Sequence, residues 1–242
     1  MLGLSLGMSA LYAIVNIINR ATRDVPLNQQ TASINVSRDQ REIFDLLYQL
    51  LGITAALVPV ALVVFLLWQP QRPRLGRLGI DGARSWGDLR DGIGLAALIG
   101  VPGLFIYLGG RELGLTVTVI PTDLNAYWWT VPVLLLAALR AGVVEEVIAV
   151  GYLFARLREL GWGPWSIILT SALLRGTYHL YQGVGGFVGN VLMGIVFGWL
   201  YQRFGRLLPL VIAHTLLDAV IFVGYPWAAA AFPALFGVPA SP

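Results

Sequence analysis

Runs of apolar residues, most of them long enough to cross a bilayer and broken by short polar segments, organise this sequence. Leu50 to Trp68 is nineteen residues without a charge, close to the ~20 that a helix needs to span the hydrocarbon core. Trp68 closes it where amphipathic rings settle. Met1 to Ile18 is a shorter apolar opening that lacks the basic leader of a signal peptide and reads as a first span. In the polar loop Ala21–Arg41, Ser37 stands three residues before Gln40, a cue for a helix start. Gly92 to Gly110 is a third span. Tyr127, Trp128 and Trp129 form an aromatic belt at the head of a fourth. That span runs to about Phe154, roughly 40 Å at 1.5 Å per residue, and so tilts or protrudes.

From Gly163 to Gln202 the only formally charged residue is Arg175, and the glycines of YQGVGGFVGN divide the stretch into spans at about 164–182 and 186–202. Pro164 suits the first turn of the fifth helix. Gly185, Gly189, Gly194 and Gly198 supply two small-xxx-small pairs, read as close packing inside one bundle rather than a dimer seam. A last span covers about Leu207 to Trp227. The expected fold is all-α, a polytopic transmembrane helical bundle of about seven spans. Residues 1–126 hold N-terminal transmembrane helices and a basic loop, 127–227 a helical core, and 228–242 an uncharged tail.

Composition agrees. The chain is 57% hydrophobic and 12% charged, where a soluble domain carries about a quarter charged residues. With no cysteine, a disulfide framework, a thiolate metal site and a cysteine nucleophile are excluded. The net charge of +3 is scattered over loops, which argues for topology and against a nucleic-acid partner. Loops after spans two, four and six carry nine arginines: Arg72, Arg74, Arg77, Arg84, Arg90, Arg156, Arg158, Arg203 and Arg206. The other side has five, Arg20, Arg23, Arg38, Arg41 and Arg111. A multi-pass cell-membrane protein with its amino terminus cytoplasmic and its carboxyl terminus outside is expected.

Within spans a charge costs about 2.5–3.5 kcal/mol even on the gentlest scale. Glu145 and Glu146 are adjacent there, with Arg140, Arg175, His179, His214 and Asp218 as the other ionisable groups. Consecutive helical residues point about 100° apart, so one glutamate can face a site while the other braces it. Glu146 can pair with Arg140 or Arg175 as a structural ion pair; a desolvated Glu145 beside a cation is suited to general-base work. His179 follows Arg175 by one turn, and Asp218 follows His214 by one turn, each pair on a shared face. Counted from the cytoplasmic helix ends, Glu145 and His214 lie about 10–15 Å deep but His179 about 24 Å. The fifth helix must begin outside the bilayer or tilt strongly.

The acidic pair, the histidine in LLRGTYH and the HTLLD stretch together resemble the CPBP intramembrane protease family, which includes type 2 CAAX prenyl proteases and proteins of bacteriocin processing or immunity. The resemblance covers about Tyr127 to Tyr225. Family motifs run EExxxR, FxxxH and HxxxN or HxxxD; here Val150 stands in place of the arginine and Arg175 in place of the phenylalanine. The missing guanidinium is expected to have been relocated to Arg175. The resemblance implies an endopeptidase acting on a membrane-associated peptide or protein. Glu145 and His179 would activate water, Glu146 would support them, and His214 with Asp218 would serve the oxyanion side. Asp218 can donate a hydrogen bond only if protonated; otherwise it orients His214. Glu145, His179 and His214 are also of the types that bind zinc, which ranks behind a glutamate-activated water because no HExxH helix is present. A catalytically inactive immunity or scaffolding protein, and a proton-coupled transporter, are the alternative readings.

Overall fold

A computed structural model of the chain describes residues 2–67 and 78–236. Trp68, the prolines and first arginines of the basic loop (Pro70, Arg72, Pro73, Arg74, Arg77) and the tail from residue 237 lie outside the described residues. The fold is mostly helical. In order it comprises α1 (Leu6–Ala21), β1 (Thr31–Val36), α2 (Glu42–Leu66), α3 (Ser85–Glu112), β2 (Thr118–Asp123) and α4 (Thr130–Glu145). A π-helical segment, Glu146–Tyr152, leads into α5 (Leu153–Glu159), followed by α6 (Pro164–Tyr178), α7 (Val184–Phe204), α8 (Leu208–Ala231) and α9 (Pro233–Phe236). Part of the expected uncharged tail is therefore helical, because α8 continues past Trp227.

Four described helices, α2, α3, α7 and α8, are long and apolar enough to cross a membrane. The 16 residues of α1 and 15 of α6 reach only about 24 and 22 Å, and the fourth apolar segment is interrupted by its π turn. Helices α2 and α3 bury little of their apolar surface, whereas α4 and α6 form the interior.

The all-α expectation needs one correction. β1 and β2 pair in parallel, from Thr31 opposite Thr118 to Val36 opposite Asp123. Their β-branched residues favour strand, and α2 with α3 supplies the long crossover that parallel pairing needs. Pro121 has no N–H, yet its carbonyl accepts the Asn35 side-chain amide at 2.8 Å. Two further expectations fail at this end. Ser37 makes no capping box; its hydroxyl donates to the buried Asp45 carboxylate at 2.8 Å, ahead of a helix starting at Glu42. Of the expected aromatic belt, Trp128 is 81% exposed but Trp129 is 2% exposed and stacks on Tyr127 in the interior.

Connections gather at two ends. At one, Asn28 meets the Arg111 carbonyl, Val184 N–H meets the Leu115 carbonyl at 2.8 Å, and Arg111 reaches the Leu235 carbonyl at 2.6 Å. At the other, Arg156 reaches the Leu66 carbonyl, Arg158 meets Gln202, and Leu207 N–H meets the Leu78 carbonyl. Arg206 holds this end together, donating to Asp88 at 2.6 and 2.7 Å and to Asp81 at 2.8 Å. That hydrogen bond keeps the Asp81 carboxyl below the usual carboxylate range. Asp88 is fully buried, so Arg206→Met is expected to cost about 3–5 kcal/mol by stranding it. The measurement is a thermal melt in detergent; an unchanged melting temperature would show that the clasp is dispensable.

Close packing sets the helices around the interior. A Cβ on Gly194 would lie 2.8 Å from the Ala172 Cα, and one on Gly198 3.0 Å from the Phe154 ring. Gly185 abuts Thr116, while Gly189 has nothing within 4 Å. Three of the four expected small-residue positions are thus used within one bundle. Gly194→Val should force α6 and α7 apart and cost on the order of 1–3 kcal/mol. The same substitution at Gly189 should be far milder in a parallel melt.

Candidate active site

The site forms where α4 passes into its π-helical segment. Such wide turns add a residue to a helical segment and are frequent at functional sites. Here the change of hydrogen-bond register falls directly on Glu146, and Ser171 of α6 donates its buried hydroxyl to the Ala149 carbonyl at 2.7 Å. The expected continuous α-helix through this stretch is therefore corrected. Apolar periodicity carries no mark of a π turn.

Helix lengths explain the convergence. Because α5 continues to Glu159, Glu145 lies about 21 Å and His179 about 22 Å from the α5–α6 turn. Helix α8 starts recessed, its Leu207 side packed with Leu78 against Gly151. From that level Glu145 is about 9 Å and His214 about 10 Å along their helices. The apparent mismatch in the depth of His179 came from ending the fourth helix too early.

Glu146 is sealed in the interior, 0% exposed. Its Oε1 accepts Arg175 Nη2 at 2.6 Å and faces His214 Nδ1 at 2.7 Å. With the carboxylate ionised, that second contact puts the proton on Nδ1 and fixes the ring. Arg175 Nη1 stands 3.5 Å from the same nitrogen, too far to displace the carboxylate. The guanidinium, also 0% exposed, lies 5.6 Å from the Phe197 ring centroid. His214 Nε2 then points toward Glu145 Oε2 at 3.9 Å and Asp218 Oδ2 at 3.7 Å.

Glu145 occupies a different environment. Its Oε2 accepts the Tyr178 hydroxyl at 2.7 Å and lies 3.6 Å from His179 Nε2 and 3.8 Å from Arg175 Nη1. The side chain keeps 16% exposure, similar to 15% for His179 and 20% for Asp218. These three line the open side of the cluster. His179 caps the end of α6, and neither ring nitrogen has a hydrogen-bond partner among the described residues. Five sequence candidates, Glu145, Glu146, His179, His214 and Asp218, thus come together with Arg175. Arg140 does not join them as a charge partner: among the described residues it makes no ion pair, and its Nε has no partner. Arg140 precedes Glu146 by six residues on the same helical run, roughly 120° around and about 9 Å along it, so the two side chains leave different faces. Tyr178 was missed, although its spacing of three from Arg175 placed it on the same helical face.

This part of the chain can be compared with known families. Residues 127–220 match the type II CAAX prenyl endopeptidase Rce1-like family. These residues form a domain of that family. No curated protein and no solved structure matches the chain. The CAAX-endopeptidase domain, of an intramembrane protease family, includes every residue of the cluster and begins after α1–α3 and both strands. Its departures from the family motifs have a structural account. Val150 is buried on the π turn, and the guanidinium expected there arrives from Arg175 on the neighbouring helix. Ligand types suited to zinc face one another, but among the described residues no group of three or more His, Asp or Glu is arranged to hold a metal ion.

Proposed function

We propose that the protein is a multi-pass intramembrane endopeptidase that cleaves a membrane-associated peptide or protein substrate with a water held by Glu145 and His179. Seven passes, with the Arg206 end cytoplasmic, agree with connections that alternate between two ends and with the arginine bias. The observation that carries the reading is the unequal pair: Glu146 is sealed and doubly bonded, while the adjacent Glu145 stays partly open, 3.6 Å from an imidazole with no hydrogen-bond partner.

In the reaction, water oxygen attacks the scissile carbonyl carbon while its proton passes to Glu145. The tetrahedral intermediate collapses with cleavage of the C–N bond, and Glu145 returns the proton to the leaving amine. His179 orients the water. Glu146 and Arg175 hold His214 so that only its Nε2 meets the reacting groups, and Asp218 faces that nitrogen. Glu145, His179, Glu146, His214 and Asp218 are the residues assigned to the chemistry.

The test uses full-length protein in liposomes and quenched apolar peptides, one of them ending in a farnesylated cysteine followed by three residues. Cleavage in ¹⁸O-water should place one label in the new carboxylate. His179→Ala should lower turnover by about 10²–10⁴-fold with an unchanged melt. Cleavage that survives this substitution undiminished would remove His179 from the mechanism.

A further inference from the structure

Attack on a carbonyl drives negative charge onto its oxygen, and enzymes meet that charge with fixed donors. The cluster is poorly supplied with them. Its carboxylates cannot donate when ionised, Arg175 is sealed in the interior with Nη2 on Glu146, and the Tyr178 hydroxyl is committed to Glu145. With its proton on Nδ1 toward Glu146, a neutral His214 offers only an acceptor at Nε2, and His179 is given to the water. Asp218 stands where a family member with HxxxN has an amide N–H₂.

Tyr181 lies on the short helical turn directly after His179, its ring stacked on that imidazole with centroids 6.2 Å apart and planes 23° apart. Its oxygen accepts the Gln182 side-chain amide at 2.9 Å, so its own proton remains to be given elsewhere. That stack sets the phenol beside the imidazole that stands 3.6 Å from Glu145 Oε2. The turn is held firmly: Val117 N–H meets the Gln182 carbonyl at 3.2 Å and Val184 N–H meets the Leu115 carbonyl at 2.8 Å. Gly183 closes it at φ +94°, where a Cβ would lie 2.6 Å from the Leu115 carbonyl oxygen.

We propose that the Tyr181 hydroxyl is the hydrogen-bond donor to the developing oxyanion, taking the part that an ionised Asp218 cannot. The inference rests on the peptide-hydrolysis reading above and makes Tyr181 a catalytic residue. Tyr181→Phe should lower kcat by about 10²–10³-fold, the loss expected for one oxyanion donor, and leave KM nearly unchanged. Adding Asp218→Asn to Tyr181→Phe should restore part of kcat, because the amide supplies the missing N–H; a merely structural tyrosine would not be rescued. An undiminished kcat, or a loss that the amide leaves untouched, overturns the proposal while His179-dependent cleavage leaves the hydrolysis reading in place. A second measurement is independent of turnover. An apolar peptidyl phosphinate, which mimics the tetrahedral oxyanion, should bind the unaltered protein and lose about tenfold or more in affinity with Tyr181→Phe. Equal affinities, or no binding to the unaltered protein, overturn it.

Discussion

Replacing Arg175 by leucine should strand the Glu146 carboxylate in the interior and cost about 3–5 kcal/mol, the loss typical of a buried pair broken from one side. The guanidinium donates to Glu146 at 2.6 Å from a fully buried position, so no solvent can replace it. The sharper form of the experiment moves the charge rather than deleting it. Val150 follows Glu146 by four residues, and its side chain is buried at 1% exposure. Val150→Arg combined with Arg175→Phe therefore restores both family motifs and returns a guanidinium to within one helical turn of Glu146. The double variant should melt above Arg175→Phe alone and above Val150→Arg alone. The alternative result, equal damage from all three, would show that the two positions do not share one partner.

The second large effect is a division of labour between neighbours. Glu145→Gln keeps an acceptor for the Tyr178 hydroxyl, so the melt should stay close to that of the unaltered protein. Without a carboxylate to take the proton from water, turnover should fall by about 10²–10⁴-fold. Glu146→Gln should do the reverse in kind: it removes the charge that holds Arg175 and His214 Nδ1, leaving a buried guanidinium unbalanced and lowering stability by about 3–5 kcal/mol. Comparing melts and turnover for the two variants decides the matter. A Glu145→Gln protein that melts as early as Glu146→Gln would mean that both glutamates are structural.

Much of this was legible without coordinates. The apolar runs located the helices that reached span length, although α6 ended at Tyr178 and α8 ran beyond Trp227. The cost of charge in lipid singled out Glu145, Glu146, Arg140, Arg175, His179, His214 and Asp218 because so few ionisable groups fall inside apolar segments, and of these Arg140 alone makes no ion pair with the cluster among the described residues. Local rules reached less far where structure depends on partners remote in sequence. Thr31–Val36 and Thr118–Asp123 are strands only because α2 and α3 bring them side by side. Trp129 has the look of an interfacial ring, yet tertiary packing buries it.

Composition and spacing by themselves determined that this chain is an apolar helical protein with acidic and imidazole groups set inside its apolar runs. Those properties are carried by residues close together in sequence. Which arginine neutralises Glu146, which glutamate stays open and which tyrosine touches it were decided only in three dimensions. They depend on the depth at which α6 and α8 slide against α4, and on the extra residue in the π turn. Both are set by small-residue contacts and hydrogen bonds between helices, such as Gly194 on Ala172 and Ser171 on Ala149.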